Sequence, residues 1–185
     1  AIAAYQSKLY GQSIAVERST VAPSGMQAMA MAMTLLVDTG QNVVIVEPQW
    51  PNTRHAVHMV GGEPRGVALT YANRDWTLDL DRVFAACDAR TRAIVFSSPA
   101  NPTGWVATPA DLQALLAFSR KTGIWIIADE VYARLYFEGN VAPSILQYAE
   151  PEDLVLVVNS FSKSWAMTGW RVGWLTHPVS VAPAV

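Results

Sequence analysis

The sequence has one cysteine, Cys87, in 185 residues. A single thiol excludes an internal disulfide framework and any cysteine-built zinc cluster, and it fits a reducing compartment. Charge is also scarce. Lys, Arg, Asp and Glu make up 15% of the chain, against roughly 25% in a typical globular protein. The formal net charge is −2 and no basic residues cluster, so nucleic acid is not an expected partner. No stretch approaches the roughly 20 apolar residues of a membrane span; the longest apolar-leaning run, Met26 to Val37, is interrupted by Gln27 and Thr34. Ala1 to Ser7 lacks the basic head and apolar core of a secretory signal. No G-x-G-x-x-G follows a strand-like run, and no G-x-S-x-G elbow points to a hydrolase. His55 and His58 lie three apart on a helix-like stretch, but no third ligand is near, which argues against a metal site.

Apolar residues are plentiful. They make up 51% of the chain, enough for a sizeable core and more than so few charged residues would clothe in isolation. The chain is therefore expected to be one domain cut from a larger protein, without an initiating Met and ending at Val185 with no helix-stopping signal. Four short runs are β-branched and almost wholly apolar: Val43–Val46, Ala93–Phe96, Ile124–Ala128 and Leu154–Val158. Val67–Leu69 is a weaker fifth. Unbroken rather than alternating apolar runs mark strands covered on both faces, as in a parallel sheet between helix layers. The stretches between them suit helices. Gln27 to Val37 and Leu78 to Cys87 have helical spacing. Thr108-Pro109-Ala110-Asp111 opens another helix, with Thr as N-cap, Pro in the first turn and Asp near the positive dipole end. Met26, Met29, Met31 and Met33 read as adaptable core filling. Gly61-Gly62 reads as a helix stop. The expected fold class is α/β, a three-layer, mostly parallel sheet sandwiched by helices.

In such sheets ligands sit beyond the carboxyl ends of the strands. The residues just after the runs include Trp50, Asn101, Asp129, Tyr132, Ser160, Ser162 and Lys163. A lysine placed after a buried strand is expected to be desolvated, which favours the neutral amine able to form a Schiff base; a lone lysine is more often a solvated surface group. Gly169-Trp170-Arg171-Val172-Gly173 alone is a turn with a surface arginine. Beside Ser160-Phe161-Ser162-Lys163 it suggests a phosphorylated aldehyde held next to its amine, because guanidinium grips phosphate with two parallel bonds. Asp129 after an apolar strand is costly as a lone carboxylate unless it meets a cation, for which a protonated ring nitrogen would serve; an N-cap or a salt bridge to an arginine elsewhere is the common alternative. Trp50 offers a flat face for a ring, or fills the core. The turn Ala22-Pro23-Ser24-Gly25-Met26 leads into a helix whose N-terminus can bind phosphate, although for this turn alone an ordinary serine cap is the simpler reading.

Taken together, Asn101-Pro102-Thr103-Gly104, Asp129-Glu130-Val131-Tyr132, Ser160-Phe161-Ser162-Lys163 and Gly169-Trp170-Arg171-Val172-Gly173 resemble, in this order and at these spacings, the class I/II aminotransferases. These are pyridoxal 5′-phosphate enzymes of the aspartate aminotransferase fold. The resemblance runs from about Tyr10 to Thr176 and covers that family's large, cofactor-binding domain; the small C-terminal domain is expected to lie outside the chain, which is then truncated at both ends. It implies an enzyme that moves an amino group between an amino acid and a 2-oxo acid, cytoplasmic and homodimeric. It also implies roles. Lys163 forms the internal aldimine and then moves the substrate's proton. Asp129 keeps the pyridine nitrogen protonated, Tyr132 and Asn101 bond the phenolic oxygen, and Trp50 stacks on the ring. Ser24, Gly25 and Met26 meet the phosphate with Ser160, Ser162 and Arg171. The turn Ala-Pro-Ser-Gly-Met departs from the family's usual second glycine or hydroxyl, which leaves Met26 only its backbone N–H to offer. The substrate-carboxylate arginine belongs to the small domain, so this stretch alone is expected to transaminate poorly or not at all. The same motifs occur in lyases of this fold and in aminotransferase-like effector domains of transcription regulators.

Overall fold

A computed structural model describes residues 1–185. In chain order the elements are α1 (Ile2–Tyr10), β1 (Ser19–Ala22), α2 (Gly25–Leu36), β2 (Asn42–Glu47), α3 (Asn52–Met59), β3 (Glu63–Ala68), β4 (Thr70–Ala72), β5 (Asp75–Thr77), α4 (Leu80–Ala85), β6 (Thr91–Ser97), α5 (Pro109–Thr122), β7 (Trp125–Asp129), β8 (Val155–Ser160), α6 (Phe161–Ser164) and β9 (Gly173–Thr176), with short 3-10 turns between some of them. Seven strands form one sheet in the order β1-β9-β8-β7-β6-β2-β3. Pairing from β8 through β3 is parallel, and β9 runs antiparallel to both β8 and β1. β4 and β5 make a separate hairpin.

The strand sequences explain the layering. Successive side chains of a strand point to opposite faces. In β2, Val44 and Val46 join one apolar cluster while Val43 and Ile45 join the other. The same division holds in β6 and in β7, so each strand must be apolar throughout. The first cluster takes up Leu112, Leu115 and Leu116 of α5 with Tyr10 of α1. The second takes up Ala28, Met29, Ala32 and Met33 of α2 with Ala56 and Val57 of α3. Each leucine or methionine wholly buried this way contributes about 1.5–3 kcal/mol. α5 starts at a reciprocal capping box, in which the Thr108 hydroxyl accepts from the Asp111 N–H and the Asp111 carboxylate accepts from the Thr108 N–H. It stops at Gly123, whose left-handed φ of 76° suits glycine.

The predicted α/β sandwich is the observed one. Two runs expected as strands fall within β2 and β6, two more coincide with β7 and β8 but start one residue early, at Ile124 and Leu154, and Val67–Leu69 overlaps the end of β3. β8 continues through Asn159 and Ser160, which the sequence placed after it. The reversed strand β9 and the β4–β5 hairpin were not expected.

Candidate active site

The reversed direction of β9 decides where the site lies. β1 ends at Ala22, β8 ends at Ser160 and β9 begins at Gly173, and the register pairs Gly173 with both. Three chain segments therefore turn at one rim: Ser24-Gly25 entering α2, Ser160–Lys163 entering α6, and Arg171–Gly173 entering β9. They pack too tightly for a side chain at Gly173. A Cβ there would lie 2.4 Å from the Gly25 nitrogen and 2.8 Å from the Asn159 carbonyl oxygen.

A cavity of about 290 Å³ opens at this rim. All eleven residues singled out from the sequence line it, in three groups. Ser24, Gly25 and Met26 come from the start of α2. Trp50, Asn101, Asp129 and Tyr132 come from the ends of β2, β6 and β7. Ser160, Ser162, Lys163 and Arg171 come from the turns around α6 and β9.

At the α2 end, Ser24 caps the helix by accepting from the Gln27 N–H at 3.1 Å, and its carbonyl takes the Ala28 N–H. The leading N–H groups of Gly25 and Met26 have no acceptor in the protein, which leaves two donors and the positive end of a twelve-residue helix at the cavity. Ser160 caps α6 in the same way, its Oγ accepting from Ser162 N–H and donating to the Val172 carbonyl. That hydroxyl is thus already engaged within the protein. Three of the five non-glycine residues with positive φ lie in or between these turns: Ser24 (φ 149°), Ala166 (φ 53°) and Arg171 (φ 53°). Such backbone costs about 1–3 kcal/mol per residue and persists where the surroundings over-determine it.

Asp129 ends β7. Its carboxylate accepts from the Val131 N–H at 3.2 Å and has no ion pair in the chain. It keeps some exposure through the cavity it lines, but the protein around it strips away most bulk water, and that burial pushes its pKa up to about 6. The arginine partner left open by the sequence is absent. Nearby, Asn101 Nδ2 donates to the Tyr132 hydroxyl at 3.4 Å. Lys163 Nζ stands 5.9 Å from the centre of the Tyr132 ring.

One sequence expectation fails. Packing of this chain does not strip Lys163 of water; the residue is exposed, as is Arg171. The reason is positional. Both stand on the outer lip of the cavity, beyond the buried end of β8, where Trp50 is also 47% exposed. The Arg171 Nη1 donates to the Thr168 carbonyl at 2.9 Å, so a side chain expected to reach a phosphate is tethered within its own turn.

The cavity has further lining that the sequence reading passed over. Met29, read as core, reaches it, and Gln49, Thr53, Ser97, Val131 and Thr168 contribute as well. The Gln49 Nε2 is buried without a partner. Its signal was available, since Gln49 is the polar residue directly before Trp50. His55 and His58 are exposed on α3.

With this geometry in hand, similarity to known proteins is informative. The family model described as aminotransferase class I and II matches residues 1–184. The aspartate aminotransferase of Thermotoga maritima is 34% identical over 176 residues, covering 95% of this chain and 46% of that protein. The aspartate aminotransferase of Streptomyces avermitilis is 31% identical over 186 residues, covering all of this chain and 45% of that protein. The crystal structure of the Thermotoga enzyme superposes with a TM-score of 0.92 at 33% identity, over 99% of this chain and 48% of that one. The N-succinyldiaminopimelate aminotransferase of Mycobacterium tuberculosis gives 0.92 at 29% identity, over 98% of this chain and 48% of that one. The chain spans a little under half the length of these relatives.

Proposed function

The chain belongs to the class I and II aminotransferases, and from that membership we propose that it is the cofactor-holding domain of a pyridoxal 5′-phosphate-dependent aminotransferase, one that moves an amino group between an amino acid and a 2-oxo acid. The observation that carries this reading is the content of one cavity: an amine, an aromatic face, a half-buried carboxylate without a cation, and a helix start with two free N–H donors beside an arginine. The donor set fits the cofactor at each end. A doubly charged phosphate matches the α2 N-terminus with Ser162 and Arg171. A protonated pyridine nitrogen is the cation that Asp129 lacks.

When bound, the cofactor supplies an electron sink for charge developing at the substrate's α-carbon. The residues do the rest. Asp129 holds a proton on the ring nitrogen; ionised beside that cation, its carboxyl escapes the cost of a bare buried charge. Trp50 orients the ring by its face. Asn101 and Tyr132 direct donors to the phenolic oxygen. Lys163 Nζ, the one amine on the cavity, tethers the aldehyde and serves as the mobile base that takes up and returns the α-proton.

The same reading includes a smaller domain outside this chain, pairing of two copies and a cytoplasmic setting. Support for a covering neighbour comes from the exposed Lys163 and Arg171, and from apolar side chains left in solvent: Trp170 beside Arg171, and Leu135 and Phe137 a few residues after Tyr132. No helix is long and apolar enough to cross a membrane. The test is spectroscopic. Adding pyridoxal 5′-phosphate is expected to give a visible imine band that Lys163→Ala abolishes; the same band in both proteins removes Lys163 from its role.

A further inference from the structure

Behind the cavity, just past the end of β7, lies a second carboxyl that does not face the cavity. Glu130 directly follows Asp129, is only 1% exposed and does not line the cavity. It is held from three sides. Ser144 Oγ donates to its Oε2 at 2.7 Å, Tyr10 OH donates to the same oxygen at 3.4 Å, and the Ile145 N–H donates to Oε1 at 3.1 Å. The donors come from α1 and from the turn entering residues 145–147. Ser144 and Tyr10 are buried too. No cation reaches this group, so a carboxyl held so deep, for packing alone, is an expensive choice over an apolar residue.

α1 has two further anchors, one beside α6 and one at the far end of β9. The Tyr5 ring packs edge-on against Trp165, two residues beyond Lys163, with centroids 5.4 Å apart. Gln6, fully buried, accepts from Thr176 Oγ1 of β9 at 3.0 Å. One nine-residue helix thus touches the backs of the elements that carry Asp129, Tyr132, Lys163 and Arg171.

We propose that Glu130 is a positioning residue that, pinned by Ser144, Tyr10 and Ile145, holds the Asp129–Tyr132 turn in register with the cavity and makes α1 part of the site's support. This rests on the cofactor reading above. The backbone of this turn is held on the α6 side, where Ser164 Oγ donates to the Val131 carbonyl at 3.3 Å, and Glu130 supplies the side-chain anchor on the far side. With the Glu130 side chain fixed behind the sheet end, the backbone on either side of it is fixed too, and that backbone presents Asp129 and Tyr132 to the cavity. Groups that orient a ligand-holding side chain commonly change affinity by about tenfold or more when altered.

The experiment uses the 185-residue chain with pyridoxal 5′-phosphate, following binding by absorbance and ring orientation by visible circular dichroism, with the melting temperature measured alongside. Glu130→Gln is expected to melt cooperatively, bind the cofactor about tenfold more weakly and lose most of the visible dichroism. A purely structural role would lower the melting temperature and leave affinity and dichroism of the folded protein unchanged; that result overturns the proposal while the cofactor reading stands. If the unaltered chain binds no cofactor, the site reading fails and this proposal falls with it. Should Glu130→Gln not fold, Ser144→Ala decides. It deletes the shortest bond to Glu130 and is expected to weaken binding about threefold or more; unchanged affinity and dichroism overturn the proposal.

Discussion

Substituting Gly173 tests the claim that three chain segments are packed backbone to backbone to form the cavity floor. A Cβ on Gly173 would sit 2.4 Å from the Gly25 nitrogen, 2.4 Å from the Ser24 carbonyl carbon and 2.8 Å from the Asn159 oxygen. These are all main-chain atoms, so no flexible side chain can swing aside. Ordinary contact requires the segments to separate by roughly 1 Å, an overpacking that typically costs about 1–3 kcal/mol and at times more. The shift would fall on the N-terminus of α2, so cofactor affinity should drop with stability. Gly169→Ala is the control, because nothing lies within 4 Å of its built Cβ. Its effect should stay within about 0.5 kcal/mol. Urea unfolding followed by tryptophan fluorescence gives both midpoints, and titration with pyridoxal 5′-phosphate gives both affinities. Equal midpoints and equal affinities for Gly173→Ala and Gly169→Ala would refute the packing argument.

Three further outcomes follow from the same geometry. Asp129→Asn should stabilise the cofactor-free chain at neutral pH while weakening the cofactor. With a folded pKa of about 6 against an ordinary value near 3.9, the folded state holds the extra proton, and stability falls as pH rises through that window. The gain from Asn should therefore be about 1–3 kcal/mol near pH 7.5 and much smaller near pH 4.5, read from denaturation midpoints. Arg171→Ala should weaken pyridoxal 5′-phosphate binding about tenfold or more while leaving pyridoxal, which has no phosphate, nearly unaffected; equal losses for both ligands would place Arg171 elsewhere. Thr108→Ala breaks the capping box of α5 and should cost about 1 kcal/mol by urea midpoint, with cofactor affinity unchanged.

Much of this was legible because burial on both sides of a parallel sheet forces long apolar runs, and such runs in β2, β6, β7 and β8 stand out against their surroundings. β9 was not legible. Gly173-Trp174-Leu175-Thr176 is short, begins with glycine and has no turn that marks it as a strand; its place is set by pairing with β1 and β8, far away in sequence. The site residues were visible as strand-end chemistry, but their burial was not. Lys163 looked desolvated because β8 is buried to its last residue, yet α6 carries the side chain past that end onto the lip. Glu130 was read only as part of a motif, since its partner Tyr10 is 120 residues away. Alternation sends adjacent residues to opposite faces, but nothing local shows which of Asp129 and Glu130 meets the cavity and which meets Ser144.

The chemistry rests on one amine, Lys163 Nζ. The chain has three lysines, Lys8, Lys121 and Lys163. Borohydride reduction of the chain saturated with pyridoxal 5′-phosphate, followed by peptide mass mapping, should place the reduced cofactor on Lys163 and leave Lys8 and Lys121 essentially unlabelled. Comparable labelling of all three, or none on Lys163, would contradict it.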